Sequence, residues 1–531
     1  MADVVRFLFV MAVMSATAAI CSASDVYVAA TAAGANNGAD CADAFAYNDP
    51  THGVTVAGNQ VGGVTYHLCG TFVGAAGAQL INVTGSGSAG NPFTIKFESG
   101  ANLTAPYWSG YGAIGMFGVS WITIDGGTNG IIQNSANGSG LANAAQSTGI
   151  YIASSSNIVA KNLTIANMCQ HTIVTDQVGC QTSGNNDAAI KVNNNGSAGS
   201  PITIINNTIH DAFVGIYIFA NNGDGNFTVK NNTISRTNWT MNLGAGVGNS
   251  GPWDIENNDM SCVVGGPCNW TDNNNDFHHN GIIADFGNNV FMTGMVIANN
   301  YFHDINPCTA FTFLTPVVAG GSGGIPGVLI YNNVGFTSAG QSGPANAFFG
   351  AGPGLTGSII VNNTIVGGDN TGGNNPIGLD GFNSTIKNNI VSTVQYGILL
   401  NTGFSGVVSD YNDIYNLSQG MQAGATFYGS LAAWRTGTGL DAHSINTNPN
   451  LTANFMLNAG SPAIGKGINL TGLGIPGLNV GAPQSFGAGG SCGTGCVARP
   501  SSGAWDMGAY PSKGTSVAGP NPPTTLSLTA H

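Results

Sequence analysis

The sequence predicts an all-β solenoid, in which short strands stack coil upon coil, and three observations support this fold class. Gly accounts for 81 of the 531 residues, and Gly favours turns over helices. Only 7% of the residues are charged, whereas an average soluble domain carries about 25%. A pair of Asn residues followed by an apolar segment recurs along the chain. Since 43% of the residues are hydrophobic, the chain should fold rather than stay disordered.

The Asn pairs mark a structural repeat. The first Asn of each pair stands at positions 206, 231, 257, 299, 332, 362 and 388, with spacings of 25, 26, 42, 33, 30 and 26 residues. A minimum spacing with occasional longer ones is typical of solenoid coils whose loops vary in length. Asn tolerates the left-handed conformation, and its amide can hydrogen-bond to a neighbouring coil. We therefore expect the pairs at turns.

Short segments of alternating apolar residues lie between the Asn pairs. Each begins with Gly or Ala, and examples are 149–152, 189–192, 215–218, 281–284 and 397–400. Period-two alternation over four or five residues predicts short strands with one buried face. Because one such coil cannot bury its inner face alone, the coils must stack in parallel.

The repeat and both ends of the chain resemble the right-handed parallel β-helix proteins of the pectate-lyase-like superfamily. Segments 26–28, 34–38, 66–72 and 90–95 are similar to the opening of secreted β-helix proteins, and 460–464 and 506–510 resemble a choice-of-anchor Q ending. Gly465 and Pro511 depart from that ending, which usually carries Asp and Glu there. The resemblance implies a right-handed parallel β-helix with loop insertions and a C-terminal cap. This superfamily includes lyases, hydrolases, epimerases and non-catalytic surface proteins, so fold does not determine function.

The chain is expected to be secreted. Residues 1–23 have the pattern of a signal peptide, with Arg6 before an apolar run and small residues around Ala23. We expect N-terminal coils at 24–145, regular coils at 146–420, a C-terminal capping region at 421–511 and a Pro-rich linker or tail at 512–531. In an oxidising compartment local disulfides are expected. The candidate pairs are Cys41 with Cys69, Cys169 with Cys180, Cys262 with Cys268 and Cys492 with Cys496, which leaves Cys308 over.

The charge of the chain limits its partners. Eleven Lys and Arg against 24 Asp and Glu give a net charge of −13. Nucleic-acid binding needs cations to neutralise phosphates, so nucleic acid is not expected as a partner. No segment after the signal could span a membrane. We expect a monomer that acts on a polysaccharide.

Aligning the strand segments places Tyr151, Lys191 and Tyr217 at the same outward position of successive coils, with Ile283 further along. Neighbouring strands lie about 4.8 Å apart, so Lys191 should lie between the two Tyr rings. Such a strip could stack sugar rings, hold a uronate and remove the proton from the carbon beside its carboxylate.

Further candidate residues surround this strip. Asp187, Phe213 and His279 fall four residues earlier on the same face, where side chains alternate. The two longest insertions, 168–187 and 259–280, should leave the solenoid on the same edge and enclose a groove over the strip. We predict Lys191 as the catalytic base and Tyr217 or His279 as the acid. The predicted substrate-binding residues are Tyr151, Asp187, Phe213, Trp270 and His278.

A calcium site is predicted at Asp272 and Asp276. The run 272–276 has the alternating oxygens of a calcium loop, although Phe277 and Ile283 stand where an EF-hand needs Gly and Glu. The resemblance adds support, because uronate-active lyases often use Ca²⁺ to neutralise the substrate carboxylate. A turn rich in Asn and Asp is the alternative interpretation.

The few other cations of the regular coils are expected to be structural. Lys161, Lys230 and Lys387 each precede an Asn or an Asn pair, so their recurrence indicates a structural or solvated role. Arg236 is expected to form an ion pair with Asp211 of the neighbouring coil.

The leading functional interpretation is lyase-like β-elimination on an acidic, uronate-containing glycan. Two alternatives remain open: a non-catalytic surface or adhesion protein, and a hydrolase of a neutral glycan. The Asp-Asp, Gly-His-Gly and Arg-Ile-Lys motifs of β-helix polygalacturonases are absent, as is the Arg-X-Pro-X-X-Arg motif of typical pectate lyases. The acidic charge of the chain opposes an anionic substrate unless Ca²⁺ intervenes.

Overall fold

Short parallel strands wind into a right-handed β-helix with three faces, which confirms the predicted fold class. The computed structural model describes residues 24–171, 188–194, 201–261, 280–303, 311–316, 322–337, 346–351, 355–367, 374–379, 383–400, 404–488 and 496–512. We call the three faces sheets 1, 2 and 3. In the regular coils the chain runs from sheet 2 through an Asn-pair turn to sheet 3 and then to sheet 1.

Some strands bend and contribute to two faces. Those that join sheets 2 and 3 are Ser120–Asn134 and Ser156–Ala166. Those that join sheets 3 and 1 are Thr208–Ala220, Thr233–Ala245, Ile390–Leu400 and Asp413–Ala423. Asp211 and Arg236 occupy the bends of the first two of the latter strands with φ values of 57° and 49°.

The remaining strands each belong to one face. Sheet 1 contains Ile81–Val83, Ile114–Phe117, Ile150–Ala153, Ala188–Asn193, Asn280–Phe286, Thr312–Pro316, Asn346–Ala351, Asn374–Leu379 and the antiparallel Thr426–Tyr428. Sheet 2 contains Ser24–Ala29, Phe45–Ala46, Val64–Cys69, Phe93–Phe97, Ile202–Ile205, Phe227–Lys230, Trp253–Glu256, Met295–Ala298, Leu329–Tyr331, Ile359–Val361, Thr385–Lys387 and Val408–Asp410. Sheet 3 contains Thr71–Val73, Asn102–Ala105, Asp259–Ser261, Tyr301–His303, Val334–Thr337 and Thr364–Gly367.

A few short elements complete the described chain. Gly138–Ser139 pairs with Gln170–His171, and Asn249–Ser250 pairs with Phe291–Met292. Two 3₁₀ turns span Ala57–Asn59 and Thr471–Leu473. The helix found among the described residues is Leu431–Thr438, with Ser430 as its N-cap and Gly439 after its end. None of the described helical segments is long and apolar enough to cross a membrane.

The core is a column of apolar side chains inside the coils. On sheet 2, Ile158, Ile202, Phe227, Trp253 and Met295 follow one another in register and are all buried. Burying each such side chain contributes roughly 1.5–3 kcal/mol. Stacking the coils therefore stabilises a unit that none of them could form alone.

The Asn pairs have two separate roles, as the sequence predicted. The first Asn of each pair from 206 to 388 is left-handed, with φ between 54° and 58°. The second Asn is buried, and its side-chain amide donates two hydrogen bonds. One goes to a backbone carbonyl of the preceding coil at 2.8–3.1 Å, and the other to the side-chain oxygen of the equivalent Asn in the next coil at 3.0–3.1 Å. This Asn ladder consists of Asn207, Asn232, Asn258, Asn300, Asn333, Asn363, Asn389 and Asn412.

The C-terminal region covers both an end and a side of the solenoid. Trp434 of the helix is fully buried against the last coils. Residues 463–488 and 496–511, which we call the return segment, then lie along the outside of the coils. Leu470, Leu478 and Trp505 of this segment pack on the outer face of sheet 2. At its far end, the backbone N–H of Ala488 donates to Thr233 Oγ1 at 2.9 Å.

One predicted disulfide is confirmed. Cys41 and Cys69 are bonded, with their Cα atoms 5.5 Å apart. Cys169 and Cys496 are also disulfide-bonded, and their partners lie outside the described residues. Cys262, Cys268 and Cys308 fall outside the described residues as well.

Candidate functional site

The predicted strip is present on sheet 1. Tyr151 pairs with Lys191, and Lys191 pairs with Tyr217, at one position of three consecutive coils. The Nζ atom of Lys191 lies 5.6 Å from the centroid of each Tyr ring. This distance is within the range in which an aromatic face attracts a cation, so the lysine is held between two rings.

The strip lies outside the core but is not open to solvent. Lys191 is 7% exposed, and Tyr151 and Tyr217 are 9% and 8% exposed. Tyr217 belongs to an outer cluster with Phe213, Cys169 and other residues, separate from the column inside the coils. An ordinary surface lysine on a strand would be far more exposed. The burial of Lys191 therefore distinguishes it from solubilising lysines.

More aromatic side chains extend the strip in both directions. Phe213 lies 5.4 Å from Trp239, and Phe219 stacks on Tyr217 at 6.4 Å, with all distances between ring centroids. Toward the N-terminus, Tyr151 contacts Tyr111 at 5.9 Å and Phe117 at 5.4 Å. Aromatic side chains thus lie on both sides of Lys191 on the outer face of sheet 1.

The alignment of strand segments missed one coil of the strip. Asn242 lies in register between Tyr217 and Ile283, and it is 1% exposed. Its strand carries Thr240 and Met241 where the neighbouring coil has Gly and Ile, so the Gly-Ile pattern of the other segments did not reveal it. The spacing from the Asn pairs would have located this coil, because Tyr217 and Asn242 each follow the second Asn of a pair by ten residues.

Several predicted site residues belong to the two long insertions. Asp187, Trp270, His278 and His279 lie outside the described residues. The same holds for the predicted calcium ligands, Asp272 and Asp276. Within the described ranges, no group of three or more His, Cys, Asp or Glu side chains is arranged to hold a metal ion.

Ion pairs account for three other cations of the regular coils, as predicted. Lys161 lies 3.0 Å from Asp125, and Lys230 lies 2.6 Å from Asp254 and 3.0 Å from Glu256. Arg236 pairs with Asp211 of the neighbouring coil, with Nε donating at 2.9 Å. Burial raises the pKa of Asp211, but its bonds to Arg236 and His210 outweigh burial and leave that pKa lowered.

A concavity lies at the Asn-pair turns rather than on sheet 1. It has a volume of about 520 Å³ and is lined mainly by amides and hydroxyls, among them Asn162, Asn206 and Thr208. No titratable side chain lines it, so it offers no acid or base. The strip around Lys191 is therefore the better candidate for chemistry.

Three solved structures are distantly similar to this chain. No protein-family model matches the chain, and no curated protein does. Pectate lyase Pel9A is 15% identical with a TM-score of 0.45, covering 88% of this chain and 96% of that one. A mutant of the PL6 family alginate lyase AlyGC is 11% identical with a TM-score of 0.37, covering 83% and 56%. The A-module of the Azotobacter vinelandii mannuronan C-5 epimerase AlgE6 is 13% identical with a TM-score of 0.21, covering 72% and 91%. Similarity at this level concerns the path of the chain and not its chemistry.

Proposed function

We propose that the protein is a secreted, monomeric enzyme that cleaves an acidic, uronate-containing glycan by β-elimination at the strip on sheet 1. The observation that carries the proposal is the position of Lys191, which is buried and lies 5.6 Å from two Tyr ring centroids. A buried lysine beside a phenol provides a base and an acid next to surfaces that can stack on sugars.

In this reaction Lys191 acts as the base. Its neutral amine removes the proton from the carbon beside the uronate carboxylate. The electron pair of that C–H bond forms a carbon–carbon double bond, and the bond to the glycosidic oxygen breaks. The departing oxygen receives a proton from Tyr217 or His279. The step consumes no water and leaves one product with an unsaturated uronate end.

The surroundings of Lys191 affect the energy of both its protonation states. Burial disfavours the ammonium form, which works in favour of a base. The two ring faces offset part of that cost by attracting the cation. The ammonium that forms after proton removal is therefore accommodated in the same place. Asp272 and Asp276 stay the proposed Ca²⁺ ligands, and bound Ca²⁺ would neutralise charge on the substrate carboxylate.

A non-catalytic surface scaffold is the second candidate. The observation in its favour is the net charge of −13, which repels an acidic glycan. A scaffold would need the rigid β-helix but no base, so the two candidates differ in what Lys191 does.

The test is the ultraviolet absorbance of unsaturated uronate ends, measured with the purified mature protein on a panel of polyuronates and glycosaminoglycans. Activity lost in Lys191→Ala and retained in Lys96→Ala would support the proposal. Lys96 is a suitable control because it is 41% exposed and lies on sheet 2, 3.4 Å from Glu98. Loss of activity with a chelator would implicate a bound metal such as Ca²⁺.

The opposite result is equally informative. Folded protein that produces no absorbance on any glycan of the panel, with and without added Ca²⁺, would contradict the lyase proposal. Activity that survives in Lys191→Ala would contradict the assignment of the base.

A further inference from the structure

Two exposed aromatic rings lie beside the proposed site, on its N-terminal side. Tyr111 is 61% exposed and Phe117 is 38% exposed, in contrast to the buried rings around Lys191. The two rings are 5.8 Å apart, and each also contacts Tyr151. We call Tyr111, Phe117 and Tyr151 the aromatic platform. It joins the buried strip to an open surface.

Gly115 makes room for this platform. It pairs with Tyr151 at the outward position of the preceding coil. A Cβ atom at Gly115 would lie 1.9 Å from Gln79 Nε2 and 2.9 Å from a ring carbon of Phe117. Any other residue would displace both side chains, so the absence of a side chain at Gly115 lets Phe117 and Gln79 lie across the coil.

Tyr111 and Phe117, the exposed part of the platform, have no charged side chain at the outward positions of the strands nearest to them. The outward positions of Ile81–Val83, Ile114–Phe117 and Ile150–Ala153 carry Asn82, Gly115, Phe117, Tyr151 and Ala153. The first charge along this face is Lys191, which lies two coils and about 10 Å along the axis from Gly115. It is one coil from Tyr151, the buried ring of the platform, and its Nζ lies 5.6 Å from the centroid of that ring. A carboxylate placed on Tyr111 and Phe117 would lose water without gaining a cation, which is costly.

We propose that the aromatic platform binds the apolar C–H face of a neutral sugar residue, next to the uronate held at Lys191. This inference rests on the proposed function and specifies its substrate class. The glycan runs along the axis of the solenoid and carries neutral residues beside its uronates. Stacking supplies the binding energy at the platform, while Lys191 provides the charge at the reacting residue.

The test compares two probes by calorimetric titration of the mature protein. One probe is an oligosaccharide in which uronates alternate with neutral 6-deoxyhexoses, and the other is a homo-uronate of equal length. We expect Tyr111→Ala and Phe117→Ala to weaken binding of the alternating probe by about five- to tenfold. Binding of the homo-uronate should change less than about twofold.

Matched variants serve as controls. Tyr111→Phe keeps the ring and should bind as the unmodified protein does. Phe427→Ala removes a ring that is 56% exposed on the last coils, away from the platform, and should leave both affinities unchanged. Because Tyr111 is so exposed, its replacement should leave the fold intact, which a thermal unfolding curve would verify.

Two results would overturn the inference. Unchanged affinity of Tyr111→Ala and Phe117→Ala for the alternating probe would show that no sugar stacks there. An equal loss for both probes would show that the platform does not select neutral residues.

Elimination measured on the same preparations separates this inference from the proposed function. Binding that depends on Tyr111 without elimination contradicts the lyase and supports the platform. Elimination that does not depend on Tyr111 and Phe117, with binding unchanged in their variants, supports the lyase and contradicts the platform.

Discussion

The side-chain amide of Asn412, the last Asn of the ladder, donates a 3.0 Å hydrogen bond to the carboxylate of Asp441. Asp441 comes from the turn after the C-terminal helix and is 1% exposed. Its carboxylate also accepts hydrogen bonds from Ser409 Oγ at 3.0 Å, Ser444 Oγ at 2.6 Å and Trp434 Nε1 at 2.8 Å. Asp441 therefore ends the ladder and fixes the helix to the last coils.

Replacing Asp441 by Ala should destabilise the C-terminal end. The change leaves several buried donors without an acceptor, and we expect a loss of about 3 kcal/mol in the free energy of unfolding. Urea unfolding followed by tryptophan fluorescence would measure it. Asp40→Ala, at an exposed turn, is the control and should have little effect. Equal unfolding midpoints for both variants would contradict the role of Asp441.

Asp413 should make the protein less stable as the pH rises. Burial raises the pKa of Asp413 to about 7, although the backbone N–H of Thr447 donates to its Oδ1 at 3.2 Å and acts in the opposite direction. The unfolded chain ionises this carboxyl near pH 4, while the folded protein keeps the proton until about pH 7. Stability should fall between these pH values and level off above them, by about 2–3 kcal/mol from pH 5 to pH 8.

The variant Asp413→Asn isolates this effect from that of other titrating groups. It cannot ionise, so the decrease attributed to Asp413 should vanish and the variant should gain stability relative to the unmodified protein at pH 8. Urea unfolding of both proteins at pH 5 and pH 8 gives the comparison. Parallel pH dependences of the two proteins would show that Asp413 does not carry the effect.

Removal of one ladder amide should destabilise the middle of the solenoid. Asn300 is fully buried, donates to the carbonyl of Ile255 at 2.9 Å and to Asn333 Oδ1 at 3.1 Å, and accepts from Asn258. Asn300→Ala should cost about 2–3 kcal/mol and increase hydrogen exchange at residues 253–258 and 329–333. Asn454→Ala, at an exposed turn, should change neither. Unaltered exchange in Asn300→Ala would refute the stabilising role of the ladder.

Salt should improve the proposed reaction on an acidic glycan. A protein of net charge −13 repels a polyuronate, and raising the salt concentration from about 50 to 300 mM shortens the range of that repulsion. The KM for a polyuronate should therefore fall severalfold, while the affinity for a neutral oligosaccharide stays constant. A KM that rises with salt would mean that local attraction at Lys191 outweighs the charge of the whole protein.

Much of the fold could be predicted because its determinants are local. The Asn pairs and the alternating segments define the turns and strands of each coil, and stacking identical units leaves little freedom in register. The same regularity placed Tyr151, Lys191 and Tyr217 side by side. Asn242 was missed because its strand replaces the apolar pattern with polar residues at the outer positions.

The path of the return segment could not be predicted in the same way. It depends on contacts between residues far apart in sequence, such as Ala488 and Thr233, which are 255 residues apart. The sequence does contain one local indication that the outer side of these coils is covered. The strands around Leu329 and Ile359 are apolar without alternation, which is typical of strands buried on both faces. Those outer side chains are the ones that the return segment covers.

The return segment also has a consequence for how the chain folds and melts. Solenoids with contacts only between adjacent coils can fray from either end, one repeat at a time. Here backbone groups of the return segment form hydrogen bonds with Asn388, Asn362 and Asn332, and Ala488 forms one with Thr233. The return segment therefore connects five or more coils. These coils cannot separate without releasing the return segment, so we expect them to melt cooperatively. Because the return segment packs on coils that must already be in place, we expect it to dock after them.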